Sequence, residues 1–150
     1  MKRLFTTIAV VAMLLCMVPF TAQAAEADTQ IEYFEDGSYL VTETEIINTR
    51  MLTKVGSKTA TYYNANDEIQ WKVYVTGEFL YDGTTSTCTY ASGTTTIYNT
   101  SYWRKNTDYT TYNGNSATYT VIFDYYVLGF HTDTLDCSIP ITCDENGNIS

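Results

Sequence analysis

Between Ile69 and Tyr81 the chain alternates between apolar and polar residues. Ile69, Trp71, Val73, Val75, Phe79 and Tyr81 share one parity with Gly77 between them, while Gln70, Lys72, Thr76 and Glu78 hold the other. A period of two over such a run predicts a strand with one buried and one wet face. Gly77 in its middle predicts a bulge or a close backbone approach. A second strand of this kind follows Asn113-Gly114-Asn115, where Ala117, Tyr119, Val121, Phe123, Tyr125 and Val127 alternate with Thr118, Thr120 and Asp124. Ile122 and Leu128 fall on its outer parity, so that face is expected to be partly covered. In a third run Leu135, Cys137, Ile139, Ile141 and Cys143 share a parity and Pro140 sits on the other, the pattern of an edge strand or a strand end.

Shorter signals connect these runs. "IEYFEDGSYLVTETEII", from Ile31, reads as a hairpin turning at Asp36-Gly37, a two-residue turn that suits right-twisted strands. "KTATYY" and the turn "NAND" supply a partner for the Ile69 strand, and Asp82-Gly83 turns the chain into "STCTY". Asn48 to Gly56, "NTRMLTKVG", has no period of two and reads as a linker or long loop. Thr and Tyr are abundant, Pro is nearly absent, and no long Ala/Leu/Glu/Lys stretch occurs, which favours strands throughout. Strands and turns at this spacing predict an all-β fold, a two-sheet immunoglobulin-like β-sandwich behind a cleaved N-terminal signal helix. The expected divisions are residues 1–24 as signal peptide, 25–56 as N-terminal hairpin and linker, and 57–150 as the sandwich.

The leader reading rests on three features. Lys2 and Arg3 form a basic start, Leu4 to Phe20 an apolar run, and Ala22-Gln23-Ala24 the small-x-small pattern of a cleavage site. An uncleaved anchor is the weaker reading, because the run is short for a spanning helix and a cleavage motif follows it directly. With Lys2 and Arg3 removed, six basic residues face seventeen acidic ones, a net charge of −11. So acidic a chain is poorly suited to nucleic acid or to an anionic membrane surface. The mature form is expected to be secreted, and its length suits one domain with one core.

An exported chain meets oxidising surroundings, which makes the cysteines informative. Cys137 and Cys143 share a face of one extended strand, about 20 Å apart at ~3.3 Å per residue. A disulfide needs Cα atoms within roughly 7 Å, so Cys88 is expected to pair with one of the two across the sandwich. Closing that loop would contribute roughly 4 kcal/mol on the chain-entropy argument. The remaining cysteine is either a buried thiol or a link to another chain.

"YFEDGSYLVTETE", "SKTATYYNANDEIQWKVYVTGEFLYDGTTSTCTYAS" and "ITCDENGNIS" resemble a recurrent family of small exported proteins of Gram-positive bacteria, many from the gut. The resemblance covers most of the mature chain and is loose from Thr94 to Thr134. It implies architecture and location rather than chemistry. It also implies that Cys88 and Cys143 are the disulfide pair, which leaves Cys137 unpaired and available for an intermolecular link.

The remaining chemistry is sparse. His131 is the only histidine, and "HTD" is expected to place Asp133 on the same strand face, but no G-x-S-x-G or equivalent marks a nucleophile. One histidine and scattered cysteines offer no zinc spacing. Glu43 and Glu45 alternate onto one face about 7 Å apart, a spacing an inverting carboxylate pair would use, yet adjacent acids on a strand more often form a solvated face. "DENGN" at 144 to 148 has a calcium loop's composition, but Gly147 comes fourth rather than sixth, so a terminal turn is the better reading. Adventitious calcium on the acidic surface is the alternative.

The aromatics stand out. Tyr62, Tyr74, Tyr98, Tyr102, Trp103, Tyr109, Tyr112 and Tyr126 exceed what one small core needs. Cross-strand Tyr/Thr pairing is the preferred account of them. The alternative is a ligand-facing set, Tyr74, Tyr98, Tyr102, Trp103 and Tyr126, offering flat apolar faces with polar tips. Taken together, the sequence predicts a secreted, non-enzymatic binding or interaction module with no cofactor and no metal, its partner an extracellular glycan or protein. A carbohydrate-binding module using exposed aromatics is the nearest alternative, and a structural or assembly subunit the rival class.

Overall fold

The computed structural model describes residues 28–50 and 52–150, the side chains of 48–50 excepted. The expected signal peptide, residues 1–24, lies outside the described residues. Eight strands follow one another: β1 (Asp28–Tyr33), β2 (Tyr39–Arg50), β3 (Thr53–Tyr63), β4 (Ile69–Tyr81), β5 (Ser86–Ile97), β6 (Trp103–Asn113), β7 (Ser116–Val127) and β8 (Phe130–Thr142). No helix occurs among the described residues. All pairings are antiparallel, β1 to β5 forming one sheet in chain order and β6 to β8 a second.

The all-β, two-sheet expectation is met. The connectivity is simpler than the immunoglobulin-like one, in which consecutive strands are shared between sheets. Here every turn pairs a strand with the next one in sequence, and the chain changes sheet once, between β5 and β6. Short turns leave no length for a crossover. The pairing also corrects the reading of Asn48–Gly56 as a linker. Asn48, Thr49 and Arg50 pair with Val55, Lys54 and Thr53, so the first hairpin continues directly into the main sheet. A register shift between Ile46 and Asn48 breaks the alternation there, which is why the sequence pattern fades.

The core forms where the two sheets face each other. Ala60 of β3, Trp71, Val73, Val75 and Phe79 of β4, and Cys88 of β5 meet Trp103 of β6, Ala117, Tyr119, Val121 and Phe123 of β7, and Cys137, Ile139 and Ile141 of β8. The alternation read along β4, β7 and β8 therefore picked the right faces over the middle of each strand, while Val127 and Leu135 on the same parities are exposed. Pro140 lies on β8, an edge strand, where its missing N–H is tolerated. β1 is exposed along its whole length.

Two of the strand glycines hold space for rings. A Cβ on Gly77 would lie 2.7 Å from the Phe79 ring, and one on Gly93 of β5 would overlap the Tyr119 ring. Tyr119 reaches across from β7, packs on the bare backbone of Gly93, and donates its hydroxyl proton to Asp108 of β6 at 2.5 Å. That leaves Thr95 Oγ1, 2.9 Å away on β5, as donor to the same hydroxyl. Burial first, and the Asp108 carboxylate second, push the Tyr119 hydroxyl up to about 12.

Three turns share one design. Phe34 to Ser38, Asn64 to Glu68 and Asp144 to Asn148 each close with an amide of the first residue donating to the carbonyl of the fifth, and the fourth amide donating back to the first carbonyl. The fourth residue has positive φ in each, Gly37, Asp67 and Gly147. The Asp36-Gly37 turn is thus longer than the two-residue form, a three-residue loop with its left-handed residue last. "DENGN" is the same turn, held by Asp144 accepting from the Asn146 and Asn148 amides and leading to a Cys143–Ile149 bridge.

Two outcomes follow from this packing. Gly93→Ala should destabilise by about 1–3 kcal/mol, because Tyr119 is anchored at both ends and cannot yield; an unchanged unfolding midpoint would refute the contact. The second concerns acid. Asp36 (through the Ser38 hydroxyl), Asp82 (through the Thr85 and Thr84 amides), Asp108 (through the Tyr119 hydroxyl) and Asp144 (through the Asn148 amide) are all held below the ordinary aspartate value of 3.8. Their contribution is complete above the unfolded value and is lost as pH falls through the lower folded values. Thermal midpoints should therefore drop below about pH 4, and less steeply in an Asp82→Asn, Asp144→Asn double variant; equal slopes would count against the turn carboxylates.

Candidate functional site

In an antiparallel meander alternate turns lie at the same end. The β1–β2 and β3–β4 turns, the β5–β6 connection and the β7–β8 region therefore converge, and between them opens a cleft of about 640 Å³. Asp36 and Ser38 come from the first turn, Tyr62, Asn64, Ala65, Asn66, Glu68 and Gln70 from the second turn and its flanking strands, and Asn99, Tyr102 and Trp103 from the connection; Tyr125, Asp133 and Leu135 complete the wall. The volume lies in the range of small-ligand sites.

The floor is an outgrowth of the core. Trp71 is stacked between Tyr62, with ring centroids 5.0 Å apart, and Phe123, at 4.5 Å. Trp103 meets Tyr62, Trp71 and Phe123 edge-on and lies 4.7 Å from Tyr125. Tyr102, 43% exposed, stacks on Tyr125 at the rim. The Tyr62 hydroxyl donates to Ser38 Oγ at 2.9 Å, which fixes its ring against the first turn.

Amides tie the turns together. Gln70 was expected on the wet face of β4, but the register shift that sets Tyr63 opposite Ile69 turns it inward, and it is buried. Its Nε2 donates to the Glu68 carbonyl, its Oε1 accepts from Asn99 Nδ2, and its own carbonyl accepts the Tyr98 and Asn99 amides. The second turn and the sheet-changing connection are thereby held in one geometry.

Two of the five proposed ligand-facing aromatics, Tyr102 and Trp103, line the cleft. The others do not. Tyr74 lies on the outer face of the larger sheet between Thr59 and Thr94, Tyr98 is exposed on the connection, and Tyr126 lies on the outer face of the smaller sheet under the Arg104 guanidinium, 4.4 Å away. Tyr125 and Tyr62 take their place. Tyr125 had been assigned to the core by its parity, and it sits where that parity runs out into the cleft.

His131 and Asp133 do not share a face. A register shift between Tyr125 and Tyr126 sets Asp133 opposite Tyr125, on the cleft side, and His131 opposite Tyr126, on the outer side. There the imidazole Nε2 lies 3.5 Å from Asp124 and 3.1 Å from Thr134 Oγ1. Glu43 and Glu45 are exposed on β2 opposite Thr59 and Ser57 and take no part in the cleft.

Cys88 and Cys143 mark the opposite end. The Cys88 amide donates to the Gly114 carbonyl at 2.7 Å and the Cys143 amide to that of Asn115 at 3.0 Å, so the β6–β7 turn brings the two side by side. The three cysteines among the described residues are nevertheless free thiols, and no bridge joins Cys88 to Cys143. The Cys88 and Cys143 thiols donate to the carbonyls of Tyr90 and Asp144 instead. Cys137, expected to be available to a second chain, is buried opposite Val121, and burial pushes its thiol up to about 11. No group of His, Cys, Asp and Glu among the described residues is arranged to hold a metal ion.

Comparison of the chain with protein-family models, with curated proteins and with solved structures returns no match.

Burial raises all three thiols, so they should resist alkylation at neutral pH. In denaturant without reductant, mass spectrometry should show labels on Cys88, Cys137 and Cys143. A label on Cys137 alone would reveal an oxidised Cys88–Cys143 pair.

Proposed function

We propose that the chain is an exported, non-enzymatic binding module whose cleft takes a carbohydrate. The observation that carries this reading is the cleft itself, where Tyr62, Tyr102, Trp103 and Tyr125 stand beside Asn64, Asn66, Gln70 and Asn99 and three carboxylates. A sugar ring offers an apolar C–H face and a rim of hydroxyls. Flat aromatic faces match the first, and planar amides and carboxylates match the second. The rigid two-sheet scaffold with its ligand-facing turns gathered at one end is how immunoglobulin-like sandwiches also present binding loops. Export is supported by the basic, apolar and small-x-small leader, and by the resemblance to exported Gram-positive proteins.

Binding without chemistry is favoured by where the reactive groups lie. The imidazole of His131 is on the outer face of the smaller sheet, and the thiols are buried and held protonated. An assembly subunit linked through Cys137 is disfavoured, because reaching that sulfur would mean opening the core.

A thermal-shift screen against soluble glycans tests the reading. One glycan class should raise the unfolding midpoint, since a ligand at a hundred times its Kd adds about 2.7 kcal/mol. Tyr102→Ala, which removes an exposed rim residue and spares the core, should abolish most of that shift. No response to any glycan, or an equal response in the variant, would remove the cleft from consideration.

A further inference from the structure

We propose that the cleft selects its sugar by charge, taking an oligosaccharide that carries free amino groups, as ammonium, over a neutral or acidic chain of the same linkage. This rests on the carbohydrate reading above and names its ligand class. Asp36, Glu68 and Asp133 reach the opening from three separate elements. No lysine, arginine or histidine lines it among the described residues. Two carboxylates elsewhere have a basic side chain at hand, Asp108 with Lys105 at 2.9 Å and Asp124 with the His131 imidazole at 3.5 Å. The cleft carboxylates are held by neutral donors: Asp36 by the Ser38 amide and hydroxyl, Glu68 by Asn64 Nδ2, and Asp133 by the Thr134 amide. Each such bond falls on one carboxylate oxygen and leaves the other available.

The amides sharpen the preference. Asn64 Nδ2 donates to Glu68, Gln70 Nε2 to the Glu68 carbonyl, and Asn99 Nδ2 to Gln70. One N–H of each of these three amides is thus spent within the wall, while the three carboxylates each keep an oxygen free for a ligand. Hydroxyls suit such a surface, and an ammonium group, with three donors and a positive charge, suits it best. Carboxylates set around an opening with an apolar aromatic floor also focus the negative potential there. A carboxylated sugar meets that potential as repulsion. N-acetylation replaces the ammonium by a neutral amide with an acceptor of its own.

The test compares three β-1,4-linked tetramers on the full mature chain by calorimetric titration: one of glucosamine, one of N-acetylglucosamine, one of glucose. At about pH 6 and low salt the glucosamine tetramer should bind about tenfold tighter than the others, and the margin should shrink in about 0.5 M salt. A Glu68→Gln, Asp133→Asn variant should lose the margin and keep the weaker, uncharged binding, while Tyr102→Ala should weaken all three. Equal affinity for the three tetramers, with Tyr102→Ala still weakening each, would overturn the charge preference and leave the carbohydrate reading standing. Glucosamine binding unaffected by Tyr102→Ala would be adsorption to an acidic surface and would overturn the proposal. No binding by any tetramer, with Tyr102→Ala also silent in the glycan screen, would overturn both.

Discussion

Trp71 is stacked on both sides, by Tyr62 from its own sheet and by Phe123 from the sheet opposite, and Trp103 meets all three edge-on. Aromatic pairs of this kind add about 0.5–1.5 kcal/mol each beyond the area they bury. The stack fixes the separation of the two sheets. It also occupies the end of the core nearest the converging turns, so the same rings that hold the sandwich together floor the cleft. A change that loosened this cluster would disturb stability and site together, and for that reason the exposed Tyr102 is a cleaner handle on binding than Trp103.

The meander divides the molecule into two ends of different character. At one, turns rich in Asp, Asn and Ser meet around aromatic rings, and the polar side chains that cap the backbone also line the opening. At the other, the β6–β7 turn receives the backbones of Cys88 and Cys143, and the C-terminal turn folds back so that the Gly83 amide donates to the Glu145 carbonyl. The first end has hydrogen-bonding capacity left for a ligand. The second spends its capacity internally.

Where alternation was unbroken, the sequence could be read correctly. β4, β7 and β8 bury the faces their apolar parity indicated, Gly77 is a close approach to a ring, and Pro140 lies on an edge. Reading failed where a bulge reversed the parity. The shift near Tyr63 buried Gln70, the shift at Tyr125 and Tyr126 parted His131 from Asp133, and the shift between Ile46 and Asn48 disguised a continuous hairpin as a linker. One inserted residue flips every later side chain to the other face, and nothing in residue type alone marks where that happens. The site fared similarly. Tyr102 and Trp103 were legible as surplus aromatics next to a turn, whereas Asp36, Glu68, Gln70 and Asn99 looked like ordinary turn and strand residues.

The sequence by itself determined the strand class, the faces of the long strands, the turns and the acidic charge, because each follows from local periodicity, composition or turn chemistry. Tertiary structure alone decided that three turns and a strand end share one opening, that Asn64, Gln70 and Asn99 each spend a donor within its wall, and that Cys88 lies beside Cys143 with Cys137 shut in the core. Those facts depend on which strand neighbours which and on the register between them. Register is set by the fit of side chains between two sheets, a property of pairs far apart in the chain, and so it becomes visible only when the sheets have closed on each other.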